Sequence, residues 1–373
     1  MNRIIFAAAV SLVPLVAHTQ TSADTSRKVS FAGFVDSYYA FDFNRPVNLD
    51  RSFTTQPARH NEFNVNLAHV EAVLSGGRLR GRLALQAGTS VQSNYSAEPA
   101  IGSVSGPSLS RHLQEAYVGY QITPSVWVDG GIFFSNMGME SWISRDNPTY
   151  TRSQVAEYSP YYSSGAKITW QATPKLSARL DVVNGWQNIS ETNEDKGAGL
   201  RLDYALSPTA TFSYYNFFNN ETIITTDDLE EEFRDDRLRI FNGIGAKVTV
   251  GRTTLLGQFD LGSQDRGEGF DGNSSWYGFT AVARFQVTPT VAVSGRVERF
   301  DDEDQVLIGT GVSRGFRANG ASVGLDVVPH PGFLWRTELR GFSGDERVFP
   351  DRDSSQGLAK GSGFVVSSFA LTF

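Results

Sequence analysis

The sequence contains no cysteine among its 373 residues. It therefore has no disulfide framework and no thiolate metal site, and it cannot carry a lipid on an N-terminal cysteine. No internal run of 18 apolar residues occurs, which excludes a transmembrane helix. No glycine-rich phosphate loop follows a strand and opens a helix, and no serine–histidine–acid constellation is evident. These absences favour a protein without a catalytic site, a cofactor or a bound metal ion.

Aromatic residues and glycine are abundant. The chain has 26 Phe, 13 Tyr, 6 Trp and 36 Gly, but only 3 Met. This composition is typical of β proteins, because aromatic side chains favour strands and form the girdles of membrane barrels. The formal net charge of −7 argues against nucleic acid as a partner, since nucleic-acid backbones bind basic surfaces.

The N-terminus predicts an export signal over residues 1–19. Arg3 supplies a positive charge, residues 4–16 form a short apolar core, and Ala17-His18-Thr19 offers small residues for cleavage. Residues 20–28 are then expected to be a short periplasmic segment. A buried N-terminal helix is the alternative interpretation.

One unit repeats from residue 29 to the C-terminus: a strand, a tight turn, a second strand and a long polar loop. The predicted strand over residues 78–90 alternates with a period of two, so that Leu83 and Leu85 face away from Arg80 and Arg82. The tight turns contain Thr-Pro, Ser-Pro or Gly-Gly pairs, which suit turns and not central strands. Because short and long connections alternate, the long loops all lie at one end, as in outer-membrane barrels.

The pattern predicts an all-β protein with about sixteen antiparallel strands. Residues 29–373 are expected to form a single transmembrane up-and-down β-barrel in the outer membrane of a Gram-negative bacterium, surrounded by lipid and lipopolysaccharide. The turns would be periplasmic and the long loops extracellular. The weakly patterned second strand and the segment 136–160 leave fourteen or eighteen strands as alternatives. A soluble sandwich is disfavoured, since its core would not accept so many buried charges.

The last strand, residues 361–373, is apolar on one face and ends on an aromatic residue. Phe369, Leu371 and Phe373 share one face, and the chain stops on an aromatic side chain. An exposed apolar edge would promote aggregation in a soluble protein, whereas in a barrel the last strand pairs with the first, here residues 29–43. Such a C-terminus resembles the signal that the outer-membrane barrel assembly machinery reads. The three residues are therefore the candidate assembly signal.

One face of the strands carries charges of both signs and is expected to line a lumen. Sixteen strands enclose an aqueous channel, whereas eight are filled by side chains. His69, which lies two residues before Glu71, is interpreted as polar lining and not as a general base. The candidate pore-lining residues are Arg78, Arg80, Arg82, Glu115, Asp129, Arg179, Asp181, Arg201, Asp203, Arg336, Glu338 and Arg340.

The longest connection, residues 136–160, is expected to fold into the lumen. Its apolar side chains, including Trp142 and Tyr150, suit packing inside a barrel more than exposure to solvent, and lumenal segments narrow such barrels. An external loop packed on its neighbours is the alternative. The candidate constriction residues, which would face the arginines of the third strand, are Glu140, Arg145, Asp146, Arg152 and Glu157.

Two acidic runs, residues 227–236 and 301–304, are expected to be solvated loop charge. The alternative is a divalent cation held between these loops and lipopolysaccharide. A weaker acidic segment, residues 265–273, does not match the spacing of a calcium-binding loop, and no metal ligand is predicted.

Two segments resemble a known family. Residues 31–39 read Phe-Ala-Gly-Phe-Val-Asp-Ser-Tyr-Tyr, and residues 130–140 read Gly-Gly-Ile-Phe-Phe-Ser-Asn-Met-Gly-Met-Glu, followed at 147–153 by Asn-Pro-Thr-Tyr-Thr-Arg-Ser. They resemble the opening strand and the glycine–glutamate segment of the putative β-barrel porin-2, OmpL-like outer-membrane proteins. The resemblance implies a porin-like barrel with no catalytic residues and no defined substrate.

The sequence therefore predicts an outer-membrane channel for passive diffusion of small hydrophilic solutes or ions. It is expected to have neither enzymatic activity nor a cofactor. A barrel that acts through its extracellular loops, as a receptor or an adhesin, is the alternative. A lipid-modifying barrel enzyme would need a catalytic site that the sequence does not offer.

Overall fold

The computed structural model describes residues 26–100, 102–221, 237–267 and 270–373. The predicted export signal, residues 1–19, lies outside the described residues, and so does the acidic run 227–236. The described residues form one barrel of sixteen antiparallel strands, which confirms the predicted fold class and strand number.

The barrel wall contains sixteen strands, and a small hairpin, with two residues in each strand, lies in the loop before the last wall strand. The wall strands are β1 (Lys28–Asp42), β2 (Glu62–Gly76), β3 (Leu79–Ala87), β4 (Leu113–Thr123), β5 (Val126–Phe134), β6 (Tyr162–Gln171), β7 (Leu176–Val183), β8 (Gly197–Ser207), β9 (Ala210–Asn220), β10 (Leu238–Val250), β11 (Thr253–Asp265), β12 (Asn273–Thr288), β13 (Val291–Asp302), β14 (Phe316–His330), β15 (Phe333–Gly344) and β18 (Gly361–Thr372). The hairpin pairs β16 (Phe349–Pro350) with β17 (Leu358–Ala359).

Helical segments are short and lie in the long loops. They are α1 (Thr89–Asn94), α2 (Pro107–Ser110), α3 (Gln154–Glu157) and a 3-10 turn at Ser144–Asp146. Within the described ranges, no helix has the length and hydropathy needed to span a membrane.

The last strand closes the barrel against the first, as predicted. Val35 of β1 lies opposite Leu371 of β18. The Phe373 N–H donates to the Gly33 carbonyl oxygen (3.1 Å), and the Gly33 N–H donates to the Phe373 carbonyl oxygen (2.8 Å). The Phe373 ring covers Gly33 so closely that a β-carbon at residue 33 would collide with it. Every edge of the wall is therefore paired, which removes the unpaired backbone groups that a bilayer does not tolerate.

The two faces of the wall differ in chemistry. Successive strand residues point to opposite faces, so the apolar side chains of β15 at Trp335 and Leu339 are exposed on the outside. Between them, Arg336 and Glu338 point inward and are buried. We call the end of the barrel with tight turns the short-turn end and the opposite end the long-loop end.

The predicted strand ends differ most from the structure at the two ends of the loop between β3 and β4. The third strand was expected to reach residue 90, but it ends at Ala87, because Gly88 has a positive φ of 142° and the chain turns into α1. The fourth strand was expected from residue 109 but begins at Leu113, since α2 precedes it. Pro107 favours that short helix, because its missing N–H is not needed in a first helical turn.

An aromatic cluster occupies part of the lumen at the long-loop end. Phe217, Phe241 and Trp276 point inward from β9, β10 and β12 and are buried. Loop side chains complete the cluster, among them Met137 and Phe349. Two smaller apolar clusters lie around Trp142 and around Tyr150.

Candidate functional site

Residues 136–160, which we call the lumenal loop, run down inside the barrel. The loop leaves β5 at the long-loop end. Its Arg145 guanidinium donates to the backbone oxygen of Gly332 (3.0 Å), in the tight turn between β14 and β15. The tip of the loop therefore reaches the short-turn end. Trp142 donates from Nε1 to Gln86 Oε1 on β3 (3.0 Å), so the loop also crosses the width of the lumen.

Arg296 of β13 binds the middle of the lumenal loop. Its guanidinium donates to the Thr151 carbonyl oxygen (2.6 Å) and to Glu338 Oε1 (3.0 Å). Glu338 in turn accepts the backbone N–H of Thr151 (2.7 Å). Burial of these ions would be costly if either partner stood alone, but each is paired and hydrogen-bonded.

A second ion pair holds the next turn of the loop. Arg340 donates to Glu298 Oε1 (2.6 Å) and to the Arg152 carbonyl oxygen (2.8 Å). Glu298 also accepts the backbone N–H of Gln154 (2.7 Å). We call the side chains of Arg296, Glu298, Glu338 and Arg340 the anchor network, since they join β13 and β15 to the loop backbone.

Arg336 anchors the tip of the loop. It pairs with Asp326 of β14 (2.6 Å) and donates to the carbonyl oxygens of Ser144 (2.8 Å), Asn147 (3.1 Å) and Thr149 (3.0 Å). The three pore-lining candidates on β15, namely Arg336, Glu338 and Arg340, thus face inward but are covered by the lumenal loop.

Glu140, a candidate constriction residue, contacts the lumenal loop itself and β13. Glu140 accepts the Ser153 N–H (3.0 Å) and lies 3.9 Å from Arg296, and burial raises its pKa above the ordinary value. Arg152 pairs with Glu157 (3.2 Å) beneath the long-loop end. The described structure shows no ion pair between these residues and the arginines of β3, because the loop packs on β13–β15.

The other pore-lining candidates except Arg78 form a row of ion pairs on the opposite side, which we call the charged wall. The pairs are Arg80–Asp129 (2.6 Å), Arg82–Glu115 (2.8 Å), Arg179–Asp181 (2.7 Å) and Arg201–Asp203 (2.9 Å). At one end of this wall, Arg201 also donates to the Asn136 (3.0 Å) and Gly138 (2.8 Å) carbonyl oxygens at the start of the lumenal loop. The four arginine side chains remain 18–29% exposed. Water therefore reaches this part of the lumen.

Arg78 is the one pore-lining candidate placed away from the lumen. It donates to the backbone oxygen of Ile122 at the short-turn rim (2.6 Å). Its guanidinium also lies 5.5 Å from the ring centroid of Tyr120, an outward-facing residue. Arg78 precedes β3 in a turn, so the alternation that predicted its direction does not extend to it.

The profile of the putative beta-barrel porin-2, OmpL-like family matches residues 28–373. The chain belongs to this family. It is accordingly an outer-membrane porin-like channel for small hydrophilic solutes or ions, and its location is the outer membrane of a Gram-negative bacterium. The short-turn end of this porin-like protein is periplasmic and its long-loop end is extracellular. A search of curated proteins found no match.

Solved porin structures share the fold of this family member at low sequence identity. The anion-selective porin from Comamonas acidovorans is 10% identical, with a TM-score of 0.58 over 93% of this chain and 100% of that one. The outer membrane channel DcaP of Acinetobacter baumannii is 10% identical, with a TM-score of 0.62 over 95% and 99%. Salmonella typhi OmpF, in complex with daunomycin, is 13% identical, with a TM-score of 0.59 over 94% and 99%.

The anchor network contains two residues that sequence reasoning left out of the candidate site. Arg296 and Glu298 lie on β13 with the same two-residue spacing as Arg336 and Glu338 on β15. The same alternation that selected the β15 residues would have selected them. Their role depends on the loop, since Arg296 contacts Thr151 across 145 sequence positions.

The acidic run at 301–304 has a structural explanation. Asp302 accepts the backbone N–H groups of Val306 (2.8 Å), Leu307 (2.9 Å) and Ile308 (2.7 Å), and thereby orders its own loop. Among the described residues, no group of three or more His, Asp or Glu side chains is arranged to hold a metal ion.

Proposed function

We propose that solutes cross this porin-like barrel along the charged wall, and that the lumenal loop narrows the passage from the opposite side. One contrast carries the proposal. The side chains of Arg80 and Arg82 remain 29% and 27% exposed, whereas those of Arg296 and Arg340 are 0% exposed. Since only exposed side chains can meet a hydrated solute, β13–β15 anchor the loop and β3–β8 line the route.

The charged wall suits small hydrophilic solutes. Its arginines present donors and Asp203, 33% exposed, presents an acceptor to a passing solute or to its water shell. The pairing of each arginine with a carboxylate keeps the wall from trapping an ion strongly. The aromatic cluster at the extracellular end is the second narrow region. We infer that the two features together limit the size of solutes that diffuse through.

We infer that this channel acts without catalytic activity. Family membership and the porin fold support this. Its expected partners are the solutes, outer-membrane lipid and lipopolysaccharide around the apolar wall, and the barrel assembly machinery, for which Phe369, Leu371 and Phe373 form the candidate signal. The apolar outward side chains of the strands suit contact with lipid and lipopolysaccharide, and the charged lumen suits contact with hydrophilic solutes.

The absence of native cysteine makes the route testable by thiol labelling. Ser177 of β7 lies on the lumenal face beside Arg179 and is partly exposed. Ser368 of β18 is also lumenal, but it is 2% exposed behind the loop. The variants S177C and S368C therefore carry the same conservative change on the two sides of the proposed route.

A charged methanethiosulfonate reagent should modify S177C at least about tenfold faster than S368C in reconstituted channels, because only an accessible thiolate reacts. Modification of S177C should also alter the current through single channels. Equal labelling rates of the two variants, or rapid labelling of S177C with an unchanged current, would exclude the charged wall as the route.

A further inference from the structure

A cavity of about 330 Å³ lies at the periplasmic end between the tip of the lumenal loop and the inner faces of β10–β12 and β14–β15. Its volume is within the range of small-molecule sites, about 300–1,000 Å³. Its ionisable lining consists of Arg145, Asp146, Lys247, Arg284, Asp326 and Arg336. Four cations and two carboxylates give this lining a net charge of +2 at neutral pH.

One of the two carboxylates is shared by two arginines. Asp326 pairs with Arg336 (2.6 Å) and with Arg284 (3.2 Å). Arg336 is buried and uses its remaining donors on the loop backbone. Arg284 also donates to Gln286 Oε1 (2.9 Å). Its side chain is 26% exposed, so the remaining N–H groups can donate to a ligand, and its charge is only partly balanced by the shared Asp326.

Lys247 of β10 has no ionic or hydrogen-bonding partner among the described residues, although it points into the lumen and lines the cavity. The other lysine on the inner wall, Lys167, differs, because its ammonium lies 4.3 Å from the ring centroids of Tyr117 and Phe133. The Lys247 ammonium thus offers three free donors to whatever occupies the cavity.

Arg145 adds a second cation that no carboxylate balances. Its guanidinium binds backbone oxygens of the β14–β15 turn, including Gly332 (3.0 Å). Its neighbour Asp146 is exposed and contacts only the Ser141 hydroxyl, at 3.5 Å. The loop tip therefore brings one positive and one negative group to the cavity, while β10 and β12 add Lys247 and Arg284.

We propose that this cavity binds a small oxyanion, with Lys247 and Arg284 as its principal donors. Carboxylate and phosphate oxygens share the chemistry that these donors recognise. A cleft with low-dielectric walls and a net positive lining concentrates such anions. Binding of an anion in this cavity is independent of the proposed solute route, because the cavity can be occupied even in a barrel that conducts poorly.

Titration calorimetry on the purified barrel in detergent tests the site. Inorganic phosphate and succinate serve as separate probes, and sodium chloride at matched ionic strength serves as the reference. The two probes distinguish a phosphate site from a dicarboxylate site. K247Q should weaken binding of the preferred probe about tenfold, because one charge-assisted hydrogen bond accounts for at least that factor, and K247R should retain binding.

The matched control is K175Q, which removes the same charge from the periplasmic turn before β7, outside the cavity. It should leave the affinity unchanged, while D146N should increase it by removing the unpaired carboxylate. Equal losses in K247Q and K175Q, or probe heats no different from those of chloride, would overturn the proposal. Heat-modifiable gel migration verifies folding, and D146N provides an independent result if K247Q does not fold.

Discussion

Replacement of Arg296 by methionine should release the lumenal loop without opening the barrel wall. Arg296 makes four hydrogen bonds, three of them to the loop: to Thr149 Oγ1 (3.1 Å), the Thr151 carbonyl oxygen (2.6 Å) and Thr151 Oγ1 (2.7 Å). The fourth goes to Glu338 (3.0 Å). The backbone ladder of β13 does not involve this side chain and should persist.

The expected energetic effect is large, because R296M leaves buried carboxylates without their cation. Removing one partner of a buried ion pair costs about 3–5 kcal/mol. Since about 1.4 kcal/mol corresponds to a factor of ten, the population of undocked loop should rise by about 10²- to 10³-fold or more. Methionine retains the length and apolar packing of the arginine stem, so the charge and its hydrogen bonds are the main loss.

The assay combines single-channel conductance in planar bilayers with trypsin cleavage at Arg152, whose side chain is 0% exposed in the docked loop. R296M should conduct more than the wild type and should be cut faster at this residue. The matched control is R299M on the same strand, where Arg299 pairs with Asp301 (2.8 Å) in a more exposed position. Arg299 makes no ion pair or hydrogen bond to the lumenal loop among the described residues, so R299M should resemble the wild type in loop cleavage and conductance.

Two results would refute this reasoning. Unchanged cleavage at Arg152 in R296M would show that the anchor network does not hold the loop. Faster cleavage with unchanged conductance would show that the loop is released but does not narrow the passage.

Two further predictions concern the barrel seam and the pH dependence of loop docking. Deletion of Phe373 removes both of its hydrogen bonds to Gly33. The deletion should lower the membrane-inserted fraction, measured by heat-modifiable gel migration, and should leave the conductance of inserted channels unchanged. Normal insertion would argue against an assembly signal. Burial and, to a smaller extent, the facing carboxylate of Glu298 raise the pKa of Glu140. Its protonated form therefore favours docking, although the nearby Arg296 acts in the opposite direction. The contribution of Glu140 should be fully present below the ordinary glutamate pKa of about 4.3 and should decline as the pH rises through the elevated value. Wild-type conductance should therefore increase from pH 4 to pH 8, and a variant E140Q with the same increase would contradict the assignment.

Most of the wall could be predicted from the sequence, because strand phase is a local property. In β15 the alternation of Trp335, Thr337 and Leu339 with Arg336 and Glu338 predicts which side chains face lipid and which face the lumen. The predicted end of β3 and start of β4 were wrong, because short helices begin after Gly88, which has a positive φ, and at Pro107, a first-turn proline. Two-residue alternation does not predict such helices.

The candidate site was less predictable, because it depends on contacts between distant segments. The sequence predicted that Arg80 and Arg340 would both line a pore, since each faces inward from its strand. Arg80 remains partly exposed in the charged wall, whereas Arg340 is buried under Arg152, 188 positions earlier in the chain.

The sequence by itself determined the strands, their two faces, the closure of the last strand on the first, and the family. The strands, their faces and the closure follow from two-residue alternation and from turn residues, which act over a few positions. The family follows from the resemblance of residues 31–39 and 130–153 to its members. Only the tertiary structure decided which lumenal charges meet water, because that depends on where the lumenal loop packs. The loop packs on β13–β15 because the paired charges of the anchor network satisfy its backbone groups there, and this leaves the charged wall and Lys247 open to the lumen.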